Sequence, residues 1–143
     1  MQDDLFTPTI REAQGTGRPP WRPESIIYPA FFGGPLAAAT LGVLNGRRLA
    51  LPAGMLITIA AAGLAGFAAR MAISAAVDGT SPVRFAANVT GLLVWLVVMA
   101  FQRRRFRAFT YGNGEPASLV GPGFAAAIGG AVLEAVVIFG LVR

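Results

Sequence analysis

The chain has 143 residues, 55% of them hydrophobic and only 13% charged, with twelve arginines, no lysine, no histidine, no cysteine and a formal net charge of +5. These absences exclude disulfides, thiolate nucleophiles, histidine-ligated haem or zinc, a Ser-His-Asp triad and lysine Schiff-base chemistry. A soluble domain of this size needs more polar surface to cover its core, so a mean hydropathy of +0.60 indicates an integral membrane protein.

Residues 1–25 form a polar, proline-rich tail without apolar periodicity, and they lack the basic start and apolar core of a cleavable signal peptide. The tail is expected to be mostly extended, with Trp21 and Tyr28 at the depth of an interfacial aromatic belt. Four apolar stretches follow over 26–44, 53–77, 85–101 and 119–142. Each approaches the ~20 residues that a helix needs to cross a hydrocarbon layer ~30 Å thick. The expected fold is therefore all-α, an integral membrane bundle of four transmembrane helices over 26–143.

The first stretch holds Gly33, Gly34 and Pro35. Pro35 has no N–H to bond the carbonyl of Phe31, so a kink is expected there. The freed backbone has two readings, a packed bend or an unwound ion site. Gly34, Ala38 and Gly42 then recur every fourth residue, a small-residue face suited to close helix contact. Asn45 and Gly46, followed by Arg47 and Arg48, read as the helix terminus.

The second stretch places Gly63, Gly66, Arg70 and Ser74 on one face, and the fourth does the same with Gly123, Ala127, Gly130 and Glu134. Arg70 lies seven residues before Val77 and Glu134 eight before Val142, so in an antiparallel bundle their depths agree. An unpaired charge near mid-bilayer costs at least ~2.5–3.5 kcal/mol. Arg70 and Glu134 are thus expected to pair, or to bridge through Asn88 or Thr90 of the third stretch, which Ser81 and Pro82 open as N-cap and first turn. Functionally the pair reads as a proton- or cation-exchange site; structurally it reads as a static lock within the bundle or against a partner subunit. Little other polar lining exists (Thr40, Thr58, Ser74, Asn88, Thr90), which favours the static reading.

Arg47, Arg48, Arg103, Arg104, Arg105 and Arg107 flank the spans, and anionic lipid headgroups explain them more simply than nucleic acid does. With four crossings both termini share one side. The arginines on the two sides nearly balance, leaning towards termini outside. No phosphate loop, metal-ligand spacing or nucleophile elbow is present, so neither a metal nor another cofactor is expected.

The segment Tyr28-Pro29-Ala30-Phe31-Phe32-Gly33-Gly34-Pro35-Leu36-Ala37, continued by Leu44-Asn45-Gly46-Arg47-Arg48-Leu49, resembles a recurring pattern of small, uncharacterised multispan bacterial membrane proteins. In those, Phe-(Leu/Gly)-Gly-Pro-Leu-Ala is followed about ten residues on by Asn-x-Arg. The resemblance covers about 25 residues and implies a multi-pass protein of the bacterial inner membrane, with no activity or functional residue carried over. The sequence as a whole suggests a non-enzymatic accessory or structural subunit of a membrane assembly. The alternative is a small homo-oligomeric transporter or channel using Glu134 and Arg70.

Overall fold

The computed structural model describes residues 17–142 and is all-helical. A 3-10 turn over Pro23–Ile26 leads into α1 (Ile27–Arg48), followed by α2 (Ala53–Ala76), α3 (Thr80–Tyr111) and α4 (Val120–Val137). The last of these continues as a π-helical turn over Ile138–Val142. Four helical segments are long and apolar enough to cross a membrane. The exposed side chains along them are large and apolar, among them Ile57, Leu64, Leu93, Phe124, Ile128 and Val136, as lipid requires.

Two boundaries differ from the hydropathy pattern. α3 runs about three turns beyond its apolar stretch, because the arginines that end the apolar pattern are themselves good helix formers. Hydropathy marks where the apolar stretch stops, and the helix goes on past it. α3 also starts at Thr80 behind Gly79, whose φ is +107°, so Pro82 sits within the first turn rather than opening it.

α1 is the centre of the bundle and packs against each of the other three helices. It is not one rod. Gly34, at φ +74° and ψ −165°, leaves the helical region altogether, and the chain doubles back there. A straight helix would place Trp21 and Asn45 about 36 Å apart. Instead they are joined by two hydrogen bonds, Trp21 N–H to Asn45 Oδ1 at 2.7 Å and Asn45 Nδ2 to Trp21 O at 3.0 Å. The core pairs residues symmetrically about the bend: Ala30 clusters with Ala38, and Ile26 with Leu41. The expected kink is thus a full reversal, and α1 is a hairpin of a short first arm (27–33) and a longer second arm (35–48).

The helices around the hairpin fix its direction. Along α3, Gly91 meets Ala30 and Gly34, while Val98 meets Gly42 and Gln102 bonds the Gly42 carbonyl. Along α2, Gly66 meets Pro35 and Gly63 meets Ala39. On α4, Gly123 lies near Pro29 and Gly130 against the Gly33 carbonyl. The hairpin therefore enters from the end of the bundle that holds Asn45 and Gln102, and turns at the level of Arg70 and Glu134. Its second arm reaches only about 16 Å from Asn45 to Gly34.

This reversal corrects the expected topology. Three helices cross the full bundle, so residue 17 and residue 142 lie at opposite ends rather than sharing a side. It also separates the charges. Arg18, Arg22, Arg47, Arg48, Arg103, Arg104, Arg105 and Arg107 gather at the Asn45 end, and Arg84 stands towards the other. Among the described residues, the near balance read from four crossings disappears; Arg11 and Arg143 lie outside them.

The tail is tied down over its described part; residues 1–16 lie outside the described residues. Trp21 is buried, with the Arg48 guanidinium 3.8 Å from its ring centroid, so it is a core residue and not a belt residue, while Tyr28 is exposed. Pro20 O accepts from Ala117 N–H at 3.0 Å, and Pro23 O accepts from the Trp95 indole at 3.1 Å.

Candidate functional site

Two glycine-lined approaches bring the hairpin tip into the bundle. A β-carbon added at Gly91 of α3 would collide with the backbone carbonyl of Ala30. One added at Gly130 of α4 would lie 2.5 Å from the Gly33 carbonyl. Both helices can approach the bend only because those positions are bare.

At the bend, Arg70 of α2 and Glu134 of α4 form an ion pair, with the Glu134 side chain fully buried and that of Arg70 12% exposed. The pair lies against Gly34: a β-carbon there would sit 2.7 and 2.8 Å from the two carboxylate oxygens and 3.0 Å from Arg70 Nη1. Gly34 is thus required twice, by its positive φ and by the carboxylate that fills its side-chain space. The C-terminal end of the first arm and the N-terminal end of the second also meet here. The second arm's helix dipole favours the Glu134 carboxylate at its start, and the first arm's favours the arginine.

Arg70 Nη1 meets Glu134 Oε2 directly, and the Ser74 hydroxyl lies buried one turn along α2. The contact with Arg70 is what offsets the cost of burying the carboxylate.

Asn88 and Thr90 have separate fates. The Thr90 hydroxyl donates back to Ala86 O at 2.7 Å, with Ala87 O at 3.1 Å, within its own helix and bridges nothing. Asn88 lines a cleft of about 560 Å³ that opens beside Arg70. Its walls are the first turns of α3 (Thr80, Val83, Arg84, Ala87, Asn88), the end of α4 (Ala131, Ala135, Ile138, Phe139) and Phe31 and Phe32 at the hairpin tip. The cleft exists because α3 and α4 do not pack along one another; each leans on the hairpin instead.

A second polar centre sits at the hairpin base, and the sequence reading missed it. Asn45 and Gln102 are fully buried. Besides holding the Trp21 backbone, Asn45 Nδ2 donates to Gln102 Oε1 at 2.8 Å, and Gln102 Nε2 donates to Gly42 O at 2.5 Å. The available signal was spacing: Gly91, Trp95, Val98 and Gln102 share one face of α3, which makes Gln102 an inward-facing polar residue.

Of the six arginines expected at lipid headgroups, Arg47, Arg103, Arg104, Arg105 and Arg107 are exposed at this end and Arg48 is half-buried. Arg48 also stacks on Trp21 and donates to Pro19 O at 2.9 Å. Arg105 donates to Ala50 O at 2.5 Å, closing the C-terminus of α1 where Ala50 adopts φ +54°. Among the described residues, no group of His, Cys, Asp or Glu has a metal-binding arrangement. Comparison with known proteins finds no matching family model, no similar curated protein and no similar solved structure.

Proposed function

We propose that this chain is a small, non-enzymatic transport protein of the bacterial cytoplasmic membrane, acting as a homo-oligomer through Arg70 and Glu134. The observation that carries this reading is the meeting, at one depth, of a broken helix tip, a buried ion pair and a cleft leading to it. An ionisable pair inside a membrane bundle, beside an open cleft, has a second partner within reach, which is what an exchange site needs. Interrupted helices at mid-membrane are the common way to bring backbone dipoles to a permeating ion. One hairpin and three crossings enclose no path by themselves, so the reading requires a second copy.

The positive-inside rule orients the molecule with the arginine-rich hairpin base in the cytoplasm and the cleft facing outward. The exposed arginines at the base then meet anionic lipid headgroups; no nucleic-acid partner is needed. Because the chain has no cysteine, single cysteines at Pro19, Asn113 and Gly79 report sidedness directly. Labelling of Gly79→Cys alone by an impermeant maleimide added outside whole cells is the expected pattern.

The functional test is proton movement in proteoliposomes with an entrapped pH indicator, under an imposed pH gradient and a panel of salts. Protein-dependent acidification that Glu134→Gln abolishes, in a variant with unchanged tryptophan emission, is the expected result. Equal traces from empty and loaded vesicles in every salt, or a fully active Glu134→Gln, reject it.

A second reading, an accessory subunit, is favoured by the exposure of α2 and α4. Gly54, Gly121, Gly129 and Gly140 on their outer surfaces touch nothing, although close-packing residues are what partner helices use. Fixed-stoichiometry co-purification with a different chain in native mass spectrometry selects this reading over the first.

A further inference from the structure

The cleft beside Arg70 has a chemical bias that a proton site alone does not explain. Among the described residues, its charged lining is Arg70 and Arg84, with Asn88 beside them, and no carboxylate lines it. The rest of its wall is apolar and aromatic, with Phe31, Phe32 and Phe139. Glu134 does not line it, because the carboxylate is completely buried behind Arg70. Arg70 therefore stands between two places where an anion can sit: one already holds the chain's own carboxylate, and the other is open.

We propose that the cleft is a binding site for a small organic carboxylate, which competes with Glu134 for Arg70. This rests on the transport reading above and names its substrate class. Arg84 and Asn88 receive the substrate carboxylate from α3, Arg70 turns towards it from α2, and the aromatic wall takes the apolar body. The bound anion draws Arg70 off Glu134, and a carboxylate left without its cation in a low-dielectric site takes up a proton. The charges balance: one anion and one proton enter, and the net charge of the site is unchanged. The charged groups bearing on Glu134 are Arg70 from α2 and, across the cleft, Arg84 from α3; the hairpin tip contributes none. The design makes Glu134 a tethered stand-in for the substrate and couples anion to proton without a second binding site.

The test uses the full chain in nanodiscs of zwitterionic lipid, titrated with benzoate by calorimetry in two buffers of different protonation enthalpy. Saturable binding with uptake of about one proton per benzoate is expected. Arg84→Gln should weaken binding by about tenfold or more. Glu134→Gln should bind more tightly and take up no proton. If that variant does not fold, the two-buffer comparison on the wild type still decides the coupling. Absence of saturable binding, binding without proton uptake, or an unaltered Arg84→Gln overturns the proposal. Inorganic phosphate binding as tightly as benzoate removes the apolar body from it. Phosphatidylglycerol retained through purification, lost in Arg84→Gln and unaccompanied by benzoate binding, assigns the cleft to a lipid headgroup instead. Proton flux in vesicles without benzoate binding discards the carboxylate and leaves the transport reading standing; binding without flux in any salt discards transport.

Discussion

The two ends of the α1 hairpin each bury a polar centre in an apolar bundle, and they solve the problem in opposite ways. At the base, Asn45 and Gln102 are neutral and interlocked, with bonds to each other, to the Trp21 backbone and to the Gly42 carbonyl. At the tip, Arg70 and Glu134 are charged and bound to each other beside an open cleft. Neutral amides with fixed partners make a joint that has one low-energy arrangement. A charge pair beside a cleft has a second arrangement within reach whenever a proton or another anion arrives. The contrast assigns anchoring to the base and change to the tip.

The sharpest way to break that contrast is to unpair the tip. Arg70→Ala leaves a buried carboxylate without its cation and should cost about 3–5 kcal/mol, whereas Arg70→Ala with Glu134→Ala should recover most of it. Thermal unfolding in detergent, followed by tryptophan emission, measures both; equal losses in the single and double variants would remove the pair from the account. Asn45→Ala should follow, at about 1–3 kcal/mol, because it orphans the Trp21 backbone and one side of Gln102 together. Its signature is local: Trp21 emission shifts to the red and the chain around residue 20 becomes open to protease, with the tip intact. If instead Asn45→Ala changed proton flux as strongly as Glu134→Gln does, the division between anchor and switch would fall.

Much of the tip was legible in the sequence and most of the base was not. Charges in apolar stretches stand out, and equal distances from the span ends placed Arg70 and Glu134 at one depth. The reversal of α1 left weaker traces. Gly33, Gly34 and Pro35 announce a break, but the 19 mostly apolar and small residues over 26–44 are also about the length of a crossing helix, and local pattern cannot separate a bend from a hairpin. What decides is distant: bare positions at Gly91 and Gly130, and the hold of Asn45 on Trp21. In the sequence, Asn45 and Gly46 ahead of two arginines read as a helix terminus. The helix in fact continues to Arg48, and the amide serves the tail instead. Both devices lie within Tyr28–Leu49: the reversal at Gly34 and the clasp at Asn45.

The hairpin itself can be probed from its turning point. Gly34→Ala puts a β-carbon into the left-handed region and within 2.7 Å of the Glu134 carboxylate, so it combines strain with displacement. A loss of about 1–2 kcal/mol is expected, partly relieved in Glu134→Ala, where the space is vacated. A straight first helix would instead gain from the same substitution, since alanine is the better helix former by about 1 kcal/mol. The sign of one change therefore separates the two architectures.

The smallest effect concerns the clasp from outside. Arg48 lies over the Trp21 ring at 3.8 Å and donates to Pro19 O, so Arg48→Gln should cost about 0.5–1 kcal/mol. The informative comparison is with Arg47→Gln, one residue earlier and exposed. Both remove one positive charge from the hairpin base, so any attraction to anionic lipid falls equally. Only the Arg48 change should alter Trp21 emission and unfolding temperature. A matched response from the two would mean that arginines at the base act through lipid alone, and that the tail is held by Asn45 without help.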